Sequence, residues 1–170
     1  VTAVFDEFEA VALPAFASCK RGWIHGDLND QNVIMEPTEG GEHTVGAFID
    51  FEDLTYTPIV NEAAVALAYM MLQWCKTKQD AVDIACEVLS GFVSQCPLTA
   101  ADADILLLLI KTRLCVSITM SRATIAADPS NEQYLGLHAL MFVPLLHHLD
   151  SLPAADVSKR FREVVASVEA

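Results

Sequence analysis

Hydrophobic periodicity divides the chain into a mixed first part and a helical second part. Residues 4–19 carry apolar side chains at helical spacing, and Pro14 is expected to kink or break this helix. Residues 33–35 and 45–51 form two short apolar runs that flank a turn with a Gly-Gly pair. Two such runs around a glycine turn predict a β-hairpin near the N-terminal edge of the fold.

From residue 61 onward the pattern is helical. Residues 63–75 are apolar nearly all round, which predicts a buried helix, and residues 80–95 are amphipathic. Thr99 is suited to cap a helix that runs to about residue 127. Residues 131–149, where Pro144 is expected to kink or divide the helix, and residues 155–166 complete the pattern. The predicted fold class is therefore α+β and mostly helical.

The formal net charge of −13, from 10 basic and 23 acidic residues, changes which partners are reasonable. Binding of nucleic acid through its phosphates needs a basic stripe, and the sequence has none. An anionic membrane surface is disfavoured for the same reason. The sequence therefore predicts no nucleic-acid partner and no membrane partner, whereas a cationic ligand would be attracted.

The most apolar stretch, residues 105–120, carries Lys111 and Arg113 at its middle. We interpret it as a core helix, because charges at the centre of a membrane span are costly. The five cysteines are widely spaced and form no C-x-x-C pair, which argues against zinc. Free thiols, together with the lack of a signal-peptide pattern, predict a reducing, cytoplasmic location.

Candidate chemistry is concentrated in the first third of the chain. Asp27 and Asn32 lie five residues apart on one polar loop with His25 beside them, and Asp50 ends the second strand of the predicted hairpin. Phosphoryl transfer needs a carboxylate that orients the attacking hydroxyl, and oxygen ligands that hold magnesium on the phosphates. Magnesium prefers such hard oxygen ligands, so these residues are candidates for both tasks.

The pattern H-x-D-x4-N at residues 25–32, followed by I-D-F at residues 49–51, resembles the aminoglycoside phosphotransferase superfamily. These enzymes are small-molecule relatives of the protein kinases. The resemblance implies that Asp27 is the catalytic base and that Asn32 and Asp50 bind Mg²⁺ and the nucleotide, with ATP or GTP as phosphoryl donor. It further implies that His25 organises the catalytic loop.

The longer strings HGDLNDQN and IDFEDLTY, with DPSNEQYL at residues 128–135, look most like the hydroxylysine kinase branch of that superfamily. One position departs from the family pattern, which has glycine where this chain has Glu52. A glutamate takes the positive φ of a glycine only at a cost, so Glu52 predicts altered local geometry. Glu62 matches the family's acid in the following helix, where it is expected to brace the loop or to cap the helix.

The resemblance covers about residues 3–150 and assigns residues 1–170 to the C-terminal, catalytic lobe of a kinase-like phosphotransferase. Family members also have an N-terminal lobe that covers the nucleotide phosphates. The catalytic loop begins here at residue 25, so we expect the chain to be a fragment without that lobe. Exposed apolar surface on the hairpin side is then expected to make the isolated chain self-associate, and its activity alone is expected to be low.

The remaining polar residues have less specific interpretations. Asp30 and Glu62 are weak candidates for contact with the acceptor, and Asp53 either faces a cationic substrate or caps a turn. Acids near a helix start, such as Glu132 beside Tyr134, are typical of N-terminal capping. The pair His147-His148 fits the end of a helix better than it fits a metal site.

These observations predict a kinase that phosphorylates a hydroxyl group of a small amine-bearing metabolite, with 5-hydroxylysine as the first acceptor to test. Kinases of choline, ethanolamine, homoserine or aminoglycosides remain alternatives within the same class. A non-catalytic, kinase-like scaffold domain is the alternative from another class, and the missing N-terminal lobe and Glu52 are the features that favour it.

Overall fold

A computed structural model describes residues 1–77 and 79–168, with side chains for all of these except residues 131–139 and 168. The strands are β1 (Arg21–Ile24), β2 (Val33–Pro37), β3 (His43–Phe48) and β4 (Thr55–Pro58). The helices are α1 (Thr2–Glu7), α2 (Leu13–Ala15), α3 (Val60–Met70), α4 (Ala81–Gln95), α5 (Ala100–Ala127), α6 (Glu132–Ser151) and α7 (Ala154–Val168). The α+β, mostly helical fold class is confirmed.

The first helical segment runs from α1 to α2 through one π-helical turn, Phe8–Ala12. Helical backbone therefore continues past Pro14 and ends at Ala15, four residues before the predicted end. The wider turn lies directly before the proline, whose ring removes one backbone donor from the helix. Pro14 therefore does not end the helix, and the chain continues from Ala15 through a turn to β1.

Two separate antiparallel ribbons carry all the strands of the described residues. The predicted hairpin is confirmed as β2 paired with β3, with Met35 opposite Val45 and a register shift between Ile34 and Met35. The other ribbon pairs β1 with β4, and the sequence pattern does not predict it. Each of its strands has four residues, which is too short for a clear alternation of apolar and polar positions.

The helical part encloses the core. Helix α5 packs against α1, α3, α6 and α7, and α4 packs against α3 and α7. The predicted cap at Thr99 is confirmed, because its side chain accepts from the Asp102 amide while Asp102 accepts from the Thr99 amide. Helix α6 continues through Pro144 without ending there. The helix predicted at residues 63–75 is α3 followed by a 3₁₀ turn, Met71–Cys75.

Both charges in the apolar stretch of α5 have partners. Lys111 Nζ lies 2.5 Å from an oxygen of Asp150 on α6, and Arg113 pairs with Asp27. The first pair holds α5 to α6, and the second holds α5 to the catalytic loop. No helix in the described part of the chain combines the length and the apolar character that a membrane span requires.

Candidate active site

The predicted catalytic loop, residues 25–32 between β1 and β2, is organised around His25. The His25 ring is 9% exposed, and its Nε2 lies 2.9 Å from the carbonyl oxygen of Ile49. Its Nδ1 accepts a hydrogen bond of 3.3 Å from the Asp27 amide. Because Nδ1 is the acceptor, the proton of the neutral ring belongs on Nε2, which then donates to Ile49. His25 therefore joins the start of the loop to the end of β3.

Asp27 follows at the wall of a cleft, with its carboxylate about one-quarter exposed. Asn29 Nδ2 donates to Oδ2 of Asp27 over 3.0 Å, and Asn32 Nδ2 donates to the same oxygen over 3.3 Å. Both amides also donate to the Asp27 carbonyl oxygen, at 3.2 and 2.9 Å. The other oxygen, Oδ1, forms an ion pair with Nη2 of Arg113 from α5. These contacts fix the orientation of the carboxylate.

The position of Gly26 depends on a positive φ that favours glycine and on the buried carboxylate of Glu62. Its φ is +82°, and a Cβ added there would lie 2.6 Å from the carbonyl oxygen of Asp53. The Gly26 amide donates to Oε2 of Glu62 over 3.0 Å. Glu62 itself is 8% exposed in the first turn of α3. Glu62 thus braces the loop from behind, and it does not line the cleft on which Asp27 lies.

Asp50 lies just beyond β3, where Ile49 donates its amide to the Asn32 carbonyl oxygen over 3.0 Å. Asp50 is exposed and has a φ of +63°, the one positive φ of a residue other than glycine within the described ranges. Glu52, where the family pattern has glycine, does not have a positive φ; in this segment the left-handed φ belongs to Asp50. Aspartate tolerates the left-handed region better than most side chains, and strained backbone is common at functional sites.

The donor set of Asn32 and Asp50 fits a hard cation. Asn32 uses its amide nitrogen on Asp27, which leaves its Oδ1 as the atom that can ligate a metal. Asp50 is exposed and supplies two carboxylate oxygens. Magnesium is commonly held by one or two carboxylates together with phosphate oxygens and water. No group of three or more His, Cys, Asp or Glu residues capable of holding a metal occurs in the described part of the chain.

Asp27 opens onto a cleft of about 750 Å³. Its lining residues come from the β1–β4 ribbon, the loop at residues 25–32, helices α3 and α5 and, with Phe142, helix α6. Side chains of α5 line it at helical spacing: Arg113, Val116, Ser117, Met120, Ser121 and Thr124. A cleft of this volume suits a small molecule, and the polar side chains that line it suit a hydrophilic one.

The sequence interpretation did not identify Arg113 and Tyr69 as site residues. Arg113 Nη2 donates to the Tyr69 hydroxyl over 3.1 Å, and the guanidinium carbon lies 5.4 Å from the Tyr69 ring centroid. The Tyr69 hydroxyl also lies 3.4 Å from Oγ of Ser117. A charge inside the apolar stretch of residues 105–120 was the available signal, because a buried arginine requires a partner.

The weaker candidates lie in different places. Asp30 is exposed and borders a smaller pocket beside the main cleft, whereas Asp53 lines the main cleft itself. His148 stacks on Trp74, with ring centroids 4.3 Å apart. The side chains of Glu132 and Tyr134 lie outside the described residues.

Comparison with known proteins agrees with this geometry. Residues 2–91, more than half of the chain, match the model of the phosphotransferase enzyme family. A hydroxylysine kinase from Danio rerio is 27% identical over 161 residues, which cover 95% of this chain and 44% of that protein. Hydroxylysine kinases from Xenopus laevis and Mus musculus are 31% and 32% identical over 80% and 82% of this chain.

The chain spans 37% of the Xenopus relative and 36% of the mouse relative, so it corresponds to less than half of their length. No solved structure gives a significant match. The family match includes the loop at residues 25–32, the hairpin and Glu62, whereas the α5 residues that line the cleft lie beyond it. On this evidence the chain belongs to the phosphotransferase enzyme family.

Proposed function

We propose that this chain is the catalytic lobe of a kinase that moves the γ-phosphate of ATP or GTP to a hydroxyl group of a small amine-bearing metabolite. The observation that carries the proposal is the Asp27 carboxylate, which two asparagine amides orient at the wall of a polar cleft. 5-Hydroxylysine is the first acceptor to test, because the relatives described above are named hydroxylysine kinases.

In this proposal Asp27 acts as the base. The acceptor hydroxyl binds in the cleft and donates its proton to the Asp27 carboxylate as its oxygen forms a bond to the γ-phosphorus. The bond from that phosphorus to the bridging oxygen breaks, and the nucleoside diphosphate leaves. His25 and Glu62 do not touch the acceptor; they hold the loop through Ile49 and Gly26. Correct placement of the hydroxyl is the main contribution of the protein.

We propose that Asn32 and Asp50 hold Mg²⁺ together with the nucleotide phosphates. When bound, the ion neutralises phosphate charge and fixes the direction of transfer. The hydrogen bond from the Ile49 amide to the Asn32 carbonyl keeps the two ligand-bearing segments together. The His25–Ile49 contact supports the same junction from the other side.

We further propose that a nucleotide-covering lobe from outside these 170 residues docks near the β2–β3 hairpin. Large apolar side chains on this side are about half exposed, namely Ile34, Met35, Val45, Phe48 and Phe51. Apolar surface of this kind favours a protein partner. The relatives are also more than twice as long as this chain, which is consistent with a second lobe.

We also propose a reducing, cytoplasmic location for the protein. The support is that all five cysteines are free, and that burial raises the pKa of the Cys86 and Cys115 thiols. Structural free thiols of this kind are usual where disulfides do not form.

The test is release of ADP or GDP by the full-length protein in the presence of magnesium. The acceptor panel contains 5-hydroxylysine, choline, ethanolamine, homoserine and an aminoglycoside. Phosphorylation of one amine-bearing acceptor is expected, and the acceptor with the highest kcat/KM identifies the branch. If the protein binds magnesium-nucleotide and phosphorylates no member of the panel, the scaffold interpretation replaces this proposal.

A further inference from the structure

Arg113 is the one cationic side chain among the described residues that line the main cleft. It comes from the middle of α5, in a chain whose net charge is −13. The lining also contains two carboxylates, Asp27 and Asp53. An amine-bearing acceptor needs only the acids, so the general amine-kinase proposal gives Arg113 no role towards the ligand.

The guanidinium of Arg113 is held on several sides. Nη2 donates to Asp27 and to the Tyr69 hydroxyl, and Nη1 donates to the Gly26 carbonyl oxygen over 3.3 Å. The Tyr69 ring lies under the guanidinium carbon. These contacts fix the guanidinium plane in the cleft wall, which suits planar recognition of an anion more than general charge balance.

One nitrogen of the Arg113 guanidinium has no partner among the described residues. This nitrogen is Nε, which is buried. Leaving a charged donor unpaired inside a protein is costly, so a ligand that displaces the atoms covering Nε and pairs with it gains affinity. Nε and Nη2 point in the same direction from a guanidinium and together form the side-on fork that a carboxylate accepts.

The present partner of that fork is Asp27, which contacts Nη2 only. An acceptor carboxylate that binds side-on would satisfy Nε and would replace Asp27 at Nη2. The Asp27 carboxylate would remain oriented by Asn29 and Asn32.

The other cleft residues suit the remaining groups of such an acceptor. Ser117, Ser121 and Thr124 continue along the Arg113 face of α5 and provide hydroxyl groups. Asp53 also lines the cleft, just before β4, and can receive an ammonium group. The cleft lining thus contains a candidate anion site at Arg113 and a candidate cation site at Asp53.

We infer that the acceptor is a hydroxy amino acid and that Arg113 binds its α-carboxylate. The inference deepens the proposed function and rests on it for the role of Asp27. Arg113 is a specificity residue in this account, and it distinguishes amino acids from amino alcohols and amino sugars that lack a carboxylate.

The experiment measures binding and turnover for matched acceptor pairs with the full-length protein. Each pair consists of a hydroxy amino acid and its decarboxylated counterpart: serine with ethanolamine, homoserine with aminopropanol, and 5-hydroxylysine with the corresponding diamino alcohol. Titration calorimetry gives Kd in the presence of magnesium and a non-hydrolysable nucleotide, and coupled assays give KM and kcat. The variants are Arg113→Gln and Arg113→Lys, with Arg122→Gln as a matched control on the exposed side of α5.

For one pair we expect the amino acid to bind at least about 30-fold more tightly than its counterpart, the size of a charge-assisted pair. Arg113→Gln should remove most of this preference by raising Kd and KM for the amino acid, with little change in KM for the counterpart. Arg113→Lys should retain part of the preference for the amino acid, and Arg122→Gln should retain the whole preference.

Two results would overturn the inference. Either no pair shows a preference for the carboxylate, or Arg113→Gln weakens both members of the preferred pair equally, as expected if Arg113 only positions Asp27. Carboxylate-dependent binding without any turnover would instead leave Arg113 as the anion site and refute the proposed kinase activity. Turnover without carboxylate preference would support the proposed kinase activity and refute the role of Arg113 as the anion site.

Discussion

The helical body and the β-ribbon side of this molecule are stabilised in different ways. In the body, apolar side chains such as Leu106, Ile110 and Phe161 are fully buried. On the ribbon side, Met35, Val45 and Phe48 remain about half exposed. Hydrophobic burial therefore accounts for the body, whereas the ribbons and the catalytic loop depend on a few specific polar contacts.

Three contacts connect the loop to its surroundings. His25 binds the Ile49 carbonyl, Gly26 donates to Glu62 on α3, and Asp27 pairs with Arg113 on α5. Two of these partners belong to core helices whose positions are fixed by packing. The rigid body thus determines where the Asp27 carboxylate lies, although the loop itself has little core of its own.

The largest effect on stability is expected from a cavity in the body. Leu106→Ala removes a side chain with 0% exposure on α5 and should lower the free energy of unfolding by about 2–5 kcal/mol. Leu140→Ala is the matched control, because Leu140 on α6 is 71% exposed and should cost no more than about 0.5 kcal/mol. Urea unfolding measures both, and equal losses would contradict the account of the core.

A smaller but local effect is expected at the catalytic loop. Gly26→Ala places a Cβ 2.6 Å from the Asp53 carbonyl oxygen at a φ of +82°. Gly41→Ala imposes a similar φ of +79° in the hairpin turn, where no atom lies within 4 Å of the Cβ. The Gly41 variant should lose about 1–2 kcal/mol from the backbone alone.

The Gly26 variant should lose more stability than the Gly41 variant and should also lose turnover. The difference between the two unfolding free energies isolates the close approach of the loop to Asp53. If Gly26→Ala is no less stable than Gly41→Ala and retains full activity, the described loop geometry is wrong.

The ribbon side should affect association more than stability. Met35 and Val45 are cross-strand partners and lie on one face of the hairpin. The double substitution Met35→Thr and Val45→Thr should reduce self-association of the 170-residue chain while changing its unfolding free energy by about 1 kcal/mol or less. Sedimentation velocity measures the association, and Leu140→Gln on α6 is the control. A monomeric unsubstituted chain would contradict this prediction.

The smallest expected effect is on the reactivity of the Cys19 thiol. Burial, reinforced by a hydrogen bond to Asp102 and by its negative charge, raises the pKa of the Cys19 thiol from 9.0 to about 12. Since the thiolate is the reactive form, alkylation of Cys19 at pH 8 should be slower in the native chain than in urea. Peptide mapping after a brief iodoacetamide pulse measures this. Equal rates would contradict the buried environment.

The raised pKa of Cys19 also predicts how the free energy of unfolding changes with pH. Because the folded pKa is higher than the unfolded one, the contribution of Cys19 is fully present below pH 9 and is lost as the pH rises towards 12. Cys19→Ala should remove this part of the pH dependence.

The sequence predicts the helical body well because its signals are local and repeated. Thr99 as cap and residue 127 as end of α5 are both confirmed, since capping chemistry and a following Asp-Pro pair specify them within a few residues. The hairpin is confirmed for the same reason, because a glycine-containing turn separates two adjacent apolar runs.

Pairings between distant segments were harder to predict. Strands β1 and β4 are separated by about 30 residues and contain few apolar positions, so neither has a periodic signal. The pair of Arg113 with Asp27 joins residues 86 positions apart. A motif identifies Asp27 as a candidate, but only the packing of α5 against the loop brings a guanidinium to it. The left-handed φ at Asp50 likewise has no local sequence signal that predicts it.

The most direct test of the central claim is phosphoryl transfer by full-length Asp27→Asn protein. The comparison uses the best acceptor of the unsubstituted enzyme, detects the phosphorylated product by ³¹P NMR, and includes Asp156→Asn on α7 as an exposed control. We predict that Asp27→Asn lowers kcat by about 10²–10⁴-fold, as expected for loss of a general base, with magnesium-nucleotide binding retained. Turnover by Asp27→Asn within a few-fold of the unsubstituted enzyme would contradict the assignment of Asp27 as the base.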